Sequence, residues 1–173
     1  MLFIANLLIL LSLAVIVFQD FKQREISWFL IPVAFAGFIC KAVFYKNSLV
    51  HDFLFNSVFV ALQLLCLTIY FSIKNKRFLN IIDSYLGLGD ILFLVVVCTV
   101  FSPVNFILFY VCSMMLTLLG VLIYNLLSAK QTRDIPLAGV MAGILLILVI
   151  TTMAVPGIDF YNDAYFLNIL QNV

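Results

Sequence analysis

Residues 106–127, FILFYVCSMMLTLLGVLIYNLL, carry no charged side chain, and a helix of that length, rising about 1.5 Å per residue, crosses the ~30 Å hydrocarbon core of a bilayer. Leu, Ile, Val and Phe follow one another there without alternating with polar residues, which argues against a barrel strand of about ten residues with period-two polarity. Outward from this stretch the same character recurs at 2–19, 28–45, 53–73 and 137–155, and a sixth run at 81–101 is interrupted. Hydrophobic residues make up 66% of the 173 and charged residues 10%, a balance that leaves a soluble domain short of polar surface. The sequence predicts one all-α integral membrane domain over residues 1–173, a bundle of six transmembrane helices with short connections.

The first run is read as a helix and not as a removable signal, because it lacks a basic stretch at its start and a small-residue cleavage site. Cys40, Cys66, Cys98 and Cys112 stand singly in or beside apolar runs with no Cys-x-x-Cys pair. Neither a zinc site nor a disulfide framework is expected from them, and packed core thiols are. Basic residues set the orientation. Lys22 and Arg24 follow helix one, Lys74, Lys76 and Arg77 follow helix three, Lys130 and Arg133 follow helix five, and only Lys41 and Lys46 fall near an opposite loop. By the positive-inside rule the loops after helices one, three and five face the cytoplasm, and both termini lie outside.

On that topology two acids share the cytoplasmic face: Asp20, which closes the first run, and Asp90 of Gly87-Leu88-Gly89-Asp90. On opposite faces, about 30 Å of hydrocarbon would part them. Residues 91–100 are too few to span, so helix four is expected to take in 81–86 and both glycines. That puts Asp90 roughly 13 Å along the helix axis and below the membrane surface. Gly87 and Gly89 are expected to loosen the helix and let water or a substrate backbone reach the carboxylate. Two carboxylates in a poorly solvated site do not both ionise readily; one keeps its proton while the other takes a proton from water, and the water attacks a peptide carbonyl.

Other routes to peptide hydrolysis lack parts. His51 is the single histidine and sits beside Asp52 in an outer loop, with no His-Glu-x-x-His pattern and no glycine-flanked serine; Ser27 and Lys22 have no further support as a pair. Asp83 lies two helical turns before Asp90, about 10 Å, too far for direct sharing of a proton. Asp83 and Glu25 are assigned, with Gly87 and Gly89, to binding substrate or shaping the site, and solvated loop charge is the plainer account of those two acids. Gly139 and Gly143 are spaced for a close helix contact inside the bundle.

Three stretches resemble the type IV prepilin peptidases, membrane aspartic proteases related in mechanism to the preflagellin peptidases and more remotely to presenilin. Asp20-Phe-Lys-Gln-Arg-Glu-Ile26 is similar to that family's aspartate, basic loop and isoleucine opening the second helix. Gly87 to Asp90 is similar to its glycine-flanked aspartate, and Asp134-Ile-Pro136-Leu-Ala-Gly139 to the segment opening its last helix. The resemblance covers nearly the whole chain in order and spacing. It implies an aspartic endopeptidase of the inner, cytoplasmic membrane, with Asp20 and Asp90 as the catalytic pair, cleaving the basic leader of prepilin-like precursors on the cytoplasmic side. Its implied partners are those precursors and the lipid bilayer, with no nucleic acid and no metal or organic cofactor. Longer members carry a cytoplasmic insertion with paired cysteines and also methylate the product; this chain has no such insertion and resembles a peptidase-only form. Two positions differ: Leu92 stands where many members have lysine, and Ser27 where many have proline. The alternative reading is a non-catalytic membrane scaffold subunit of a pilus or secretion assembly, and a proton-coupled transporter is a third. The sequence sets no oligomeric state.

Overall fold

The computed structural model describes residues 2–45, 49–76, 87–127, 136–155, 160–161 and 163. Among them lie six helices and no strand: α1 (Leu2–Gln23), α2 (Leu30–Tyr45), α3 (Leu49–Asn75), α4 (Leu88–Val97), α5 (Pro103–Leu127) and α6 (Leu137–Ala154). Helix α1 stops before Arg24, whose φ of 58° is the left-handed conformation that commonly closes a helix, and whose N–H still donates to the Asp20 carbonyl at 3.2 Å. The chain then turns back within six residues. Ser27, where the resembled family carries proline, has a free N–H that a proline would lack, and the Gln19 side chain accepts it at 2.9 Å.

Helix α1 is the centre of the bundle, packed along both α2 and α6. Close approach to α2 depends on Gly37, where a Cβ would stand 2.8 Å from Ile9 Cγ1. Gly143 of α6 faces Val17 and Gly139 faces Asp20, both on α1, so the expected glycine-spaced contact lies inside the bundle. Ile9, Leu13, Ile16, Phe38, Phe93, Met141 and Leu145 form the fully buried interior. Helix α4 fits between α2 and α6, α5 packs on α6, and α3 leans on α5, where Phe59 meets Phe106 and Tyr110 edge-on at 6.1 and 5.9 Å.

Around this interior the outer surface is apolar. Leu62, Leu65 and Ile69 of α3 and Leu118, Leu119 and Leu122 of α5 are half or more exposed, a surface that suits lipid and not water. Four helices, α1, α3, α5 and α6, are long and apolar enough to cross a bilayer. Six helices are found as expected, but two are shorter than the runs 28–45 and 81–101 that predict them: among the described residues α2 has 16 residues and α4 has 10, so α4 is about 15 Å long against a ~30 Å core. Three of the four cysteines, Cys40, Cys66 and Cys112, are exposed on the bundle surface and only Cys98 is buried, because in lipid a small apolar side chain is as well placed outside as inside. His51 belongs to the first turn of α3 and not to a loop, with its side chain 81% exposed beside Asp52.

A helix that ends inside the bundle leaves carbonyls without partners, and in lipid no water repairs this. Asn56 of α3, fully buried, does: its Nδ2 donates to the Cys98 carbonyl at 3.1 Å and the Phe101 carbonyl at 3.0 Å. Asn56→Leu keeps the volume and removes both bonds. It is expected to lower stability by about 1–3 kcal/mol for each carbonyl left bare, read as a fall in the thermal unfolding midpoint in detergent.

Candidate active site

Pro136 precedes α6 and fixes its start. The first N–H groups of a helix have no partner within it and carry the positive end of its dipole. At α6 two of these groups are taken by acids from elsewhere in the chain. The Ala138 N–H donates to Asp90 Oδ1 at 3.1 Å and the Gly139 N–H to Asp20 Oδ2 at 2.5 Å. With those two bonds and one residue step of about 3.8 Å between them, the accepting oxygens lie within roughly 9 Å of each other. Their charges are close enough to interact. The two acids singled out in the sequence therefore meet, 70 positions apart in the chain, at one helix end.

Each acid arrives by a different local device. Asp20 lies in the last turn of α1, the negative end of that helix. It is 6% exposed, and the Gly139 N–H together with the nearby Arg24 charge supply what its own helix withholds. Gly139 is obligatory for this approach, because a Cβ there would stand 2.7 Å from Asp20 Oδ2 and 3.0 Å from Asp20 Cβ. Asp90 lies in the first turn of α4, three residues after the helix-capping Gly87, the spacing at which an acid reaches back over the start of a helix. Its Oδ2 lies 3.2 Å from where a Gly87 Cβ would be. Asp90 thus stands at the positive ends of two helices at once, α4 and α6.

Two expectations about this segment are corrected. Gly87 is extended, with φ −68° and ψ 143°, so no continuous helix passes through it, and Asp90 lies in the first turn of its helix and not ~13 Å along it. The glycines serve close packing more than helix loosening. Gly87 leaves room for the Asp90 carboxylate, and Gly89 lets Ile26 close over α4, a Cβ at Gly89 falling 3.3 Å from Ile26 Cδ1. Ile26 is partly buried against the core, which ties the α1–α2 connection to α4 directly beside the acids. Glu25 is exposed on that connection, outside the pair. Asp83 lies outside the described residues, as do residues 81–86.

Sequence reasoning missed the two amides. Backbone N–H groups carry no residue code, and the available signal was indirect: a proline followed by the small residues Ala138 and Gly139 at the start of an apolar run. Two buried carboxylates brought to one helix end, one ionised and one protonated, are the ingredients of general acid–base chemistry on a water between them. Among the described residues no cluster of three or more His, Cys, Asp or Glu side chains is arranged to hold a metal ion. Compared with known proteins, the chain matches no protein-family model, no curated protein and no solved structure.

Proposed function

We propose that this chain is a membrane aspartic endopeptidase that removes the basic leader of type IV prepilin-like precursors at the cytoplasmic face of the inner membrane. The observation that carries this reading is the seating of Asp20 and Asp90 on the consecutive amides of Gly139 and Ala138. The ionised carboxylate takes a proton from water, and the water oxygen bonds to the scissile carbonyl carbon. The protonated partner gives its proton to the carbonyl oxygen, and the resulting tetrahedral species collapses with the C–N bond broken and a proton delivered to the leaving amine. The three matching stretches and the basic residues flanking α1 and α3 support the substrate class and the orientation.

The test is co-expression of the chain with prepilin-like precursors bearing basic leaders, read as a downward size shift of the precursor. Unshifted precursor in every pairing, with both proteins in the membrane, favours the scaffold reading. Within the same assay the two glycines of Gly87-Leu88-Gly89-Asp90 separate. Gly87→Ala presses a methyl against the Asp90 carboxylate and is expected to slow processing about tenfold, whereas Gly89→Ala meets no carboxylate, only Ile26 with Cδ1 at 3.3 Å, Cβ at 3.5 Å and Cγ1 at 3.7 Å, and slows it less than about threefold.

A further inference from the structure

We propose that Asp163 is a positioning residue for Asp90: with Phe160 and Tyr161 it clasps the far end of α4 and so keeps the Asp90 carboxylate in register with the Ala138 N–H at the near end. This rests on the reading of Asp90 as half of a reactive pair. At about 1.5 Å per residue α4 reaches only about 15 Å from the acids. Asn56, which meets the corner between α4 and α5, lies seven residues past the start of α3, about 10 Å inside the far end. The corner is therefore sunk below the far ends of the longer helices, and Phe160, Tyr161 and Asp163 fill the hollow.

The filling is specific. Tyr161 stacks on Tyr45, the last residue of α2, with centroids 5.7 Å apart, and Phe160 meets Phe101 at 5.8 Å. The Phe160 carbonyl accepts the Ser102 N–H at 3.1 Å. Asp163 Oδ1 accepts the Ser102 hydroxyl at 2.5 Å and the Asn105 N–H at 3.4 Å, and Oδ2 accepts the Val104 N–H at 3.4 Å. Val104 and Asn105 follow Pro103 in the first turn of α5, so Asp163 does from 58 or more positions away what a capping side chain ordinarily does locally. From Ser102 back to α4 the backbone is continuous and tight, with the Cys98, Thr99 and Val100 N–H groups each donating to a carbonyl of α4 at 3.0 Å.

Helix α4 is thus a short rigid rod held at both ends by polar contacts and along its length by Phe93, Leu94, Val96 and Val97. A slip of about 1 Å along its axis breaks a hydrogen bond of 3.1 Å, and the bond at risk is the one that seats Asp90. Asp20, carried by α1, is not attached to the rod.

The experiment labels the full chain in membranes with dicyclohexylcarbodiimide, an apolar reagent for carboxyl groups, and reads the ratio of Asp90 to Asp20 modification by mass spectrometry. Asp163→Ala is expected to raise that ratio at least about threefold as the seated population of Asp90 falls, with Asp163→Asn, which keeps one acceptor oxygen, in between. An unchanged ratio, or both acids rising together, overturns the proposal. If Asp163→Ala fails to accumulate, Asp163→Asn is judged by the same ratio. Labelling needs no substrate, so failure of the precursor assay leaves this result readable, and an unchanged ratio leaves precursor cleavage untouched.

Discussion

Asparagine at position 20 or at position 90 is expected to leave a co-expressed precursor at full length, a fall in cleavage rate of about a thousandfold, the order that a positioned acid or base contributes. The substitutions are nearly isosteric, and each asparagine keeps one oxygen able to accept from the α6 amide that seats the native acid. The helix contact survives, and both variants accumulate in the membrane at native levels. What is lost is the ability to hand over or receive a proton. In the proposed mechanism the two acids act as a unit, so Asp20→Asn combined with Asp90→Asn is expected to fall little further than either alone. Full-rate cleavage by either single variant sinks the assignment of that residue, and a strictly multiplicative double variant sinks the idea of a pair.

The second large effect is Gly139→Ala. The added methyl stands 2.7 Å from Asp20 Oδ2, 3.0 Å from its Cβ and 3.2 Å from its Cγ, and Asp20 has little room to retreat because it is buried in α1. The carboxylate is pushed off the Gly139 amide. Overpacking of this kind costs about 1–3 kcal/mol, and displacement of a catalytic group by about an ångström costs roughly a hundredfold in rate. Gly143→Ala is the control one helical turn further on. Its methyl meets Val17 Cγ2 at an ordinary 3.9 Å, and replacing a mid-helix glycine by alanine favours the helix by roughly 0.5–1 kcal/mol. Gly139→Ala is expected to lower both precursor cleavage and the unfolding midpoint in detergent, whereas Gly143→Ala leaves cleavage near the native rate and raises the midpoint. Equal behaviour of the two would show that the contact at Gly139 is not what seats Asp20.

The helical class and the membrane setting were legible because apolar run length is a direct physical requirement of a bilayer, and residues such as Phe106 to Leu127 meet it without interruption. The meeting of Asp20 and Asp90 agrees with the reading from charge, in which Lys22, Arg24, Lys74 and Lys76 assign their loops to one face. The length of α4 was not legible. Counting apolar residues assumes that every segment must cross, whereas a short helix is permitted once a neighbour takes its end carbonyls, as Asn56 does, and an asparagine inside an apolar run does not announce its partner 42 positions away. Nor were the contacts of Asp163 legible, since an acid beyond the last apolar run reads as solvated until it is seen against Ser102, Val104 and Asn105. Glycines were recognised as points of close approach, but what approaches them, a carboxylate at Gly139 and an isoleucine at Gly89, is a property of the packed bundle.

The seating of the two acids on α6 also has a consequence in time. Asp20 waits for an amide that lies 119 positions further along the chain, and Asp90 for one 48 positions further. At synthesis rates of about 5–20 residues per second, Asp20 leaves the ribosome some 6–24 s before its partner exists. Until α6 begins, neither acid has its seat: a nascent chain that has not reached Ala138 and Gly139 lacks both amides.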